Sequence, residues 1–223
     1  MSLNALFYPK GTPDKPIKFD ELFIPYIYQE IYFDGIYLDV VNMLKHTKTD
    51  PIIVDIGANI GVVTQYLREY GKVYSVEPSK EHFEALKKNK EFNNWDNVEI
   101  YNYAIADKDG EADLRLNAGN RTSHSLMFKA GEGETADHVK TKSLMSFFKE
   151  AGITHVDFMK LDVEGAEDLI LPSEDFAEAS KMIDCIEIEF HFPTFTQHVN
   201  HLIKMGYTAR RYNCSAIVIV FNK

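Results

Sequence analysis

The chain has 223 residues, 45% of them hydrophobic and 26% charged, with a formal net charge of −10. That length suits one α/β domain with a covered core and is short for two, and no run approaches the ~20 apolar residues that cross a bilayer. The negative charge repels phosphate backbones, so a nucleic-acid partner is disfavoured.

The first residues carry no basic stretch followed by an apolar core, so no secretion signal is expected. Residues 1–34 hold Pro9, Pro13, Pro16 and Pro25, then the aromatic series Phe19, Phe23, Tyr26, Tyr28, Tyr32 and Phe33. The prolines argue against a long helix. An extended aromatic arm with a short hairpin is expected, packed on the sheet or across the mouth of a site and separate from a single domain over 35–223. Tyr26, Tyr28 and Tyr32 either line a pocket or, more simply, anchor the arm.

Ile36, Val40, Met43 and Leu44 share one side of a helix over 36–46. Pro51 to Pro78 is the segment around which the chain is organised. Ile52-Ile53-Val54 is a short β-branched run and reads as a buried strand. It ends in Asp55, followed by a turn containing Gly57, Ala58, Asn59 and Gly61, where glycine lets the backbone bend sharply and approach a ligand. Val62, Val63, Tyr66, Leu67 and Tyr70 have helical spacing, and Gly71 stops that helix. Val73-Tyr74-Ser75-Val76 is a second strand ending in Glu77, 20 residues after Gly57, about the separation that sets a carboxylate on ribose hydroxyls. The pattern is Asp-x-Gly-x-x-x-Gly rather than Gly-x-Gly-x-x-Gly. An acid at the strand end suits a cationic ligand better than a pyrophosphate, which points to S-adenosylmethionine, a nucleoside with an ammonium and a sulfonium and no phosphate.

Ser79 caps a charged helix whose Phe83 and Leu86 face inward. Val98 to Tyr103 is a third strand, and Ala104-Ile105 follow it where an adenine ring would lie. Glu111 to Leu116 alternates like a hairpin strand. Residues 117–138 are polar and Gly-containing and are the candidate lid, with a short strand over Val139-Lys140-Thr141. Ser143 caps a helix closed by Gly152.

Val156 to Asp162 and Ile183 to His191 are the fourth and fifth strands, each with charges inside an apolar run. Lys160 and Asp162 share a parity, as do Glu187, Glu189 and His191, and so each set shares a face. Neighbouring parallel strands place Lys160 near Glu187 or Glu189, where an ion pair is expected. Asp162, Glu189 and His191 lie toward the C-terminal strand ends, where open α/β sheets bind ligands. Tyr207–Tyr212 and Ala216–Phe221 form a closing hairpin around Asn213-Cys214-Ser215. Cys185 and Cys214 lack metal-spaced neighbours and read as reduced thiols of a cytoplasmic protein. The fold expected is α/β: a doubly wound, mostly parallel seven-stranded sheet with a C-terminal antiparallel hairpin.

VDIGANIG (Val54 to Gly61), Glu77-Pro78, Asn102 to Asp107 and above all Asp157 to Glu167 (DFMKLDVEGAE) resemble the FkbM family of S-adenosylmethionine-dependent methyltransferases. The resemblance covers Tyr37 to His191. It implies O-methylation of a small-molecule or sugar hydroxyl. Asp55, Gly57, Ala58, Asn59 and Gly61 would hold the methionine part, and Glu77 with Pro78 the ribose. Ala104 and Ile105 would flank adenine, and Asp162 would lie beside the methyl donor. For catalysis His191 is the expected base, oriented by Glu189 or Asp162, with Glu164 binding the acceptor. No metal is expected; Mg²⁺ on Asp162, Glu164 and Glu189 is the alternative. An NAD-dependent oxidoreductase is opposed by the missing third glycine and the closing hairpin. A cofactor-binding protein without turnover is opposed by the charges at the strand ends.

Overall fold

The computed structural model describes residues 5–7, 17–19, 25–46, 50–116, 124–127, 135–191, 193–211 and 217–221. Its centre is a seven-stranded sheet: β1 Ile52–Ile56, β2 Lys72–Val76, β3 Val98–Tyr101, β4 Phe158–Leu161, β5 Cys185–Glu189, β6 Thr208–Arg211 and β7 Ile217–Phe221. Across the sheet the order is β6-β7-β5-β4-β1-β2-β3. The five strands from β3 to β5 are parallel, and β7 runs antiparallel to both β5 and β6. The order reverses beside β1, between β4 and β2, and at such a point open α/β sheets form a ligand crevice. The turn of the closing hairpin lies outside the described residues.

Strands buried on both faces need apolar residues at every position, and β1 and β4 obey this apart from Asp55 and Lys160. Val54, Ile56, Met159 and Leu161 face a layer with Phe147, Phe148 and Phe176. Ile53 and Phe158 face the opposite layer, with Phe19, Ile31, Val40, Leu86 and Trp95. The helices on the second face are Leu38–Leu44, Val62–Leu67 and Lys80–Phe92. Ser79 Oγ caps the last by accepting from His82 N, and Ser143 Oγ caps Leu144–Ala151 by accepting from Ser146 N.

Three expectations need correction. Beyond the antiparallel pair Ala5–Phe7 with Ile17–Phe19, the arm is helical from Pro25 to Asp34, its second half wound as a π-turn over Glu30–Asp34. Pro25 stands at the first helical position, where its missing N–H costs nothing, so it starts the helix rather than prevents one. Tyr28 and Tyr32 stack on each other at 4.3 Å and Tyr32 packs edge-on against Tyr66, which is the anchoring role; the Tyr26 side chain lies outside what is described. The third strand stops at Tyr101; Ala104–Ile105 belongs to a separate three-stranded sheet with Thr135–Lys142 and Gly110–Leu116. Most of the expected lid, 117–138, lies outside the described residues, and its end, Thr135–His138, is strand, because it completes the ladder opposite Asp113–Leu116.

Candidate active site

The turn after β1 is shaped by close backbone approaches. Gly57 has φ +77°, and a Cβ there would lie 1.7 Å from the Asp162 carbonyl oxygen at the end of β4. Gly61, at φ +89°, has no room for a Cβ against Leu86 and Trp95. Both glycines were expected to admit a ligand; the atoms that crowd them are the protein's own. The N–H groups of Gly57 and Ala58 both donate to the Val76 carbonyl at 3.0 Å, tying the turn to β2. Asn59, itself at φ 52°, donates its N–H to Glu77 Oε2 at 2.8 Å.

Asp55 is fully buried and does not line the cavity. Its Oδ2 accepts from Thr64 Oγ1 at 2.6 Å, and Thr64 pairs with Ser75 Oγ at 2.9 Å. Burial raises its carboxyl pKa, opposed by Lys160 and the Thr64 hydrogen bond. Asp55 therefore braces β1 against β2 and the following helix. Glu77 is also buried, and both oxygens accept backbone N–H groups, from Asn59 and Ser79, each at 2.8 Å. Burial outweighs those bonds and lifts its pKa to about 7.

A cavity of about 620 Å³ opens along the C-terminal ends of the strands, within the range of small-molecule sites. Gly57, Ala58 and Asn59 form its middle; Gly61 does not reach it. On the β2–β3 side it is walled by Glu77, Pro78, Ala104, Ile105 and two imidazoles, His82 and His124, stacked at 4.6 Å. On the β4–β5 side it is walled by Lys160, Asp162, Glu164, Glu187 and Glu189, with Tyr37, Glu30 and Asp34 from the N-terminal helices. That side is strongly acidic.

The pairings there differ from the expected Lys160–Glu187 ion pair. The register does set Glu187 beside Lys160, but Lys160 Nζ bonds Asp162 Oδ2 at 3.0 Å and the Gly57 carbonyl at 3.2 Å, with Asp55 Oδ1 at 3.8 Å. Glu187 instead accepts from the Tyr37 hydroxyl at 3.2 Å. Burial works against the Lys160 charge, yet Asp162, Asp55 and Glu187 together raise its pKa above the usual value. Burial raises the Glu187 pKa to about 8, with Lys160 opposing. The Glu189 side chain makes no hydrogen bond to any described residue; burial, then the Asp162 charge, raises its pKa.

His191 follows β5 and is not part of the cavity wall. Its Nδ1 lies 3.2 Å from Glu167 Oε1, and its Nε2 lies 3.3 Å from Glu164 Oε2 and 3.8 Å from Asp162 Oδ1. Burial lowers its pKa, but the Glu167 hydrogen bond and the Glu164 and Asp162 charges prevail and bring it to about 9. Burial lifts Glu164 to about 7, with His191 opposing. The structure thus brings Asp162, Glu164 and His191 together, and of His191 and Glu189 only Glu189 lines the cavity. Tyr37, Glu30, Asp34, His82 and Glu167 escaped the sequence reading. Glu167 lay within the quoted DVEGAE run, whereas Glu30 and Asp34 had only their four-residue spacing as a signal.

Comparison with known proteins agrees with this architecture. The chain is 28% identical over 191 residues to Methyltransferase 1 of Beauveria bassiana, covering 76% of this chain and 74% of that protein. It is 24% identical over 149 residues to 2-O-methyltransferase NoeI of Sinorhizobium fredii, covering 59% and 60%. The METTL16 MTase domain superposes with a TM-score of 0.53 at 14% identity, over 90% of this chain and 70% of that one, a likeness of fold alone. The model of the methyltransferase FkbM domain matches residues 55–209, from the buried acid near the end of β1 to the second residue of β6 and so across the whole crevice, and the chain belongs to that family.

Proposed function

We propose that this protein is an S-adenosylmethionine-dependent O-methyltransferase whose acceptor is a small hydroxylated molecule. The observation that carries the reading is one cavity with a wall of Glu77, Ala104, Ile105 and two stacked imidazoles on one side, suited to a nucleoside, and a carboxylate-rich side formed by β4 and β5 on the other. The fit rests on charge: even with Glu77, Glu164 and Glu187 partly protonated by burial, the lining holds Glu30, Asp34, Asp162 and Glu189 against one lysine, which favours a cationic ligand over a pyrophosphate. Glu77 and Pro78 would hold the ribose, Ala104, Ile105 and the imidazoles of His82 and His124 would flank the base, and Asp162 would face the amino-acid part. That one relative is a 2-O-methyltransferase supports oxygen as the acceptor atom.

When bound, S-adenosylmethionine supplies an electrophilic methyl group on a sulfonium. The chain's own residues must hold the acceptor in line and take its hydroxyl proton as the new bond forms. We assign the proton to Glu189 rather than His191. The Glu189 side chain lines the cavity with no hydrogen-bond partner among the described residues, whereas His191 lies off the cavity wall with both ring nitrogens facing carboxylates. Lys160 holds Asp162 and the Gly57 carbonyl in place, and so fixes the junction between the two sides of the cavity.

Calorimetry with S-adenosylhomocysteine and with NAD tests the cofactor. Binding of the first alone is expected, weakened about tenfold or more in Glu77→Gln, as for loss of a hydrogen bond to a charged group. Binding of NAD instead would overturn the reading. In Glu189→Gln, kcat should fall about 10²- to 10⁴-fold with S-adenosylhomocysteine affinity kept; an unchanged kcat would remove Glu189 from the mechanism.

A further inference from the structure

We propose that Asp162, Glu164 and His191 form a divalent-cation site at the acceptor side of the cavity. Three donor atoms from three residues converge: His191 Nε2 is 3.3 Å from Glu164 Oε2 and 3.8 Å from Asp162 Oδ1, and all three lie within 4.8 Å of one another. An ion bonded at about 2.0–2.2 Å to such donors holds neighbouring ones about 3 Å apart, so the set needs only a small contraction.

The atoms that would not ligate are already engaged. His191 Nδ1 is taken by Glu167 Oε1, which also accepts the Val163 N–H at 3.2 Å and belongs to a fully buried side chain. A carboxylate on the remote ring nitrogen fixes the tautomer and turns the other nitrogen outward, the arrangement found behind metal-ligating histidines. Asp162 Oδ2 is taken by Lys160 Nζ, which leaves Oδ1 toward the histidine. Asp162 and Glu164 also line the cavity, so water or an acceptor oxygen has access to the remaining coordination positions.

A plain ion pair explains this less well. One imidazolium needs one carboxylate, yet Asp162, Glu164 and Glu167 all converge on this ring, and Glu189 stands nearby. One imidazole with two carboxylates is a donor set of borderline hardness, suited to Mn²⁺. The register across β4 and β5 selects His191 as the third donor, in place of the Glu189 that the sequence suggested. The role given to the ion rests on the methyl-transfer reading: it would bind the acceptor hydroxyl, lower its pKa and ease transfer of the proton to Glu189. The site itself does not depend on that reading.

A second group, His155 with Asp157 and Asp184, lies at the opposite, N-terminal ends of β4 and β5 and serves as an internal control. The test is titration of chelator-treated full-length protein with Mn²⁺ alone at about pH 8, where the metal competes better with the ring proton. Bound ion is read from the loss of the free-Mn²⁺ spin-resonance signal, and S-adenosylhomocysteine affinity is measured in parallel. One Mn²⁺ per chain is expected, retained in His155→Ala and weakened tenfold or more in both Glu164→Gln and His191→Ala. S-adenosylhomocysteine affinity in each variant should stay within about twofold, which also reports that it folds; His191→Asn replaces any variant that does not. No Mn²⁺ binding up to millimolar ion, binding lost only in His155→Ala, or binding untouched in Glu164→Gln and His191→Ala would each overturn the site. Mn²⁺ binding without S-adenosylhomocysteine binding would uphold the site and sink the cofactor reading instead.

Discussion

Gly57 shows how a single hydrogen in place of a methyl decides the crevice. A Cβ there would overlap the Asp162 carbonyl oxygen, a backbone atom that a rotamer change cannot move, and φ of +77° adds strain for any other residue. Gly57→Ala should therefore cost more than about 2 kcal/mol and pull β1 from β4. Urea unfolding measures it, and a midpoint equal to the parent protein would contradict the geometry. At Gly61 the obstructing atoms are side-chain carbons of Leu86 and Trp95, which can give way, so Gly61→Ala should cost less. The glycine pattern was legible in the sequence, but its cause was not. Residue types reveal where the backbone must bend, whereas the atom it must avoid, on Asp162, lies about a hundred residues away, just after β4.

At the scale of elements, the helical stretch from Pro25 to Asp34 is the least anticipated part of the site. Ile31 is buried against the sheet, and the π-turn swings Glu30 and Asp34 onto the cavity wall. Such turns occur often where a helix serves a site. Both carboxylates are solvent-exposed, and the Glu30 charge acts on Glu189, so their charge should act on the acceptor. Glu30→Ala with Asp34→Ala is expected to raise the acceptor KM by up to about fivefold, as for exposed charge pairs, with S-adenosylhomocysteine affinity unchanged. A change in cofactor affinity with no change in KM would reassign these residues. By contrast, the helices Lys80–Phe92 and Leu144–Ala151 follow their Ser79 and Ser143 caps, because capping is local chemistry that the sequence states directly. No helix among the described residues is long and apolar enough to cross a membrane.

Across the whole molecule, buried carboxyl groups couple folding to pH. Glu187 rises from 4.5 to about 8 and Glu77 from 4.5 to about 7, so the folded chain holds protons that the unfolded chain releases. A raised folded-state pKa contributes stability that is full below about 4.5 and is lost as pH rises through about 8. The melting temperature should accordingly fall across that interval, less steeply in Glu187→Gln, where Tyr37 keeps an acceptor; an identical slope would contradict the assignment. The sequence alone determined the sheet class, the acid-and-glycine turn, the strand-end acid Glu77 and the family, because each depends on neighbours within one strand, turn or helix. Parity along β5 also foretold that Glu187 and Glu189 would share a face. Only the tertiary structure decided that Lys160 turns to Asp162 rather than Glu187, and that His191 joins Asp162 and Glu164 while Glu189 faces the cavity. Those choices depend on the register between β4 and β5 and on the turn at Glu164, whose φ of 52° no local pattern announces.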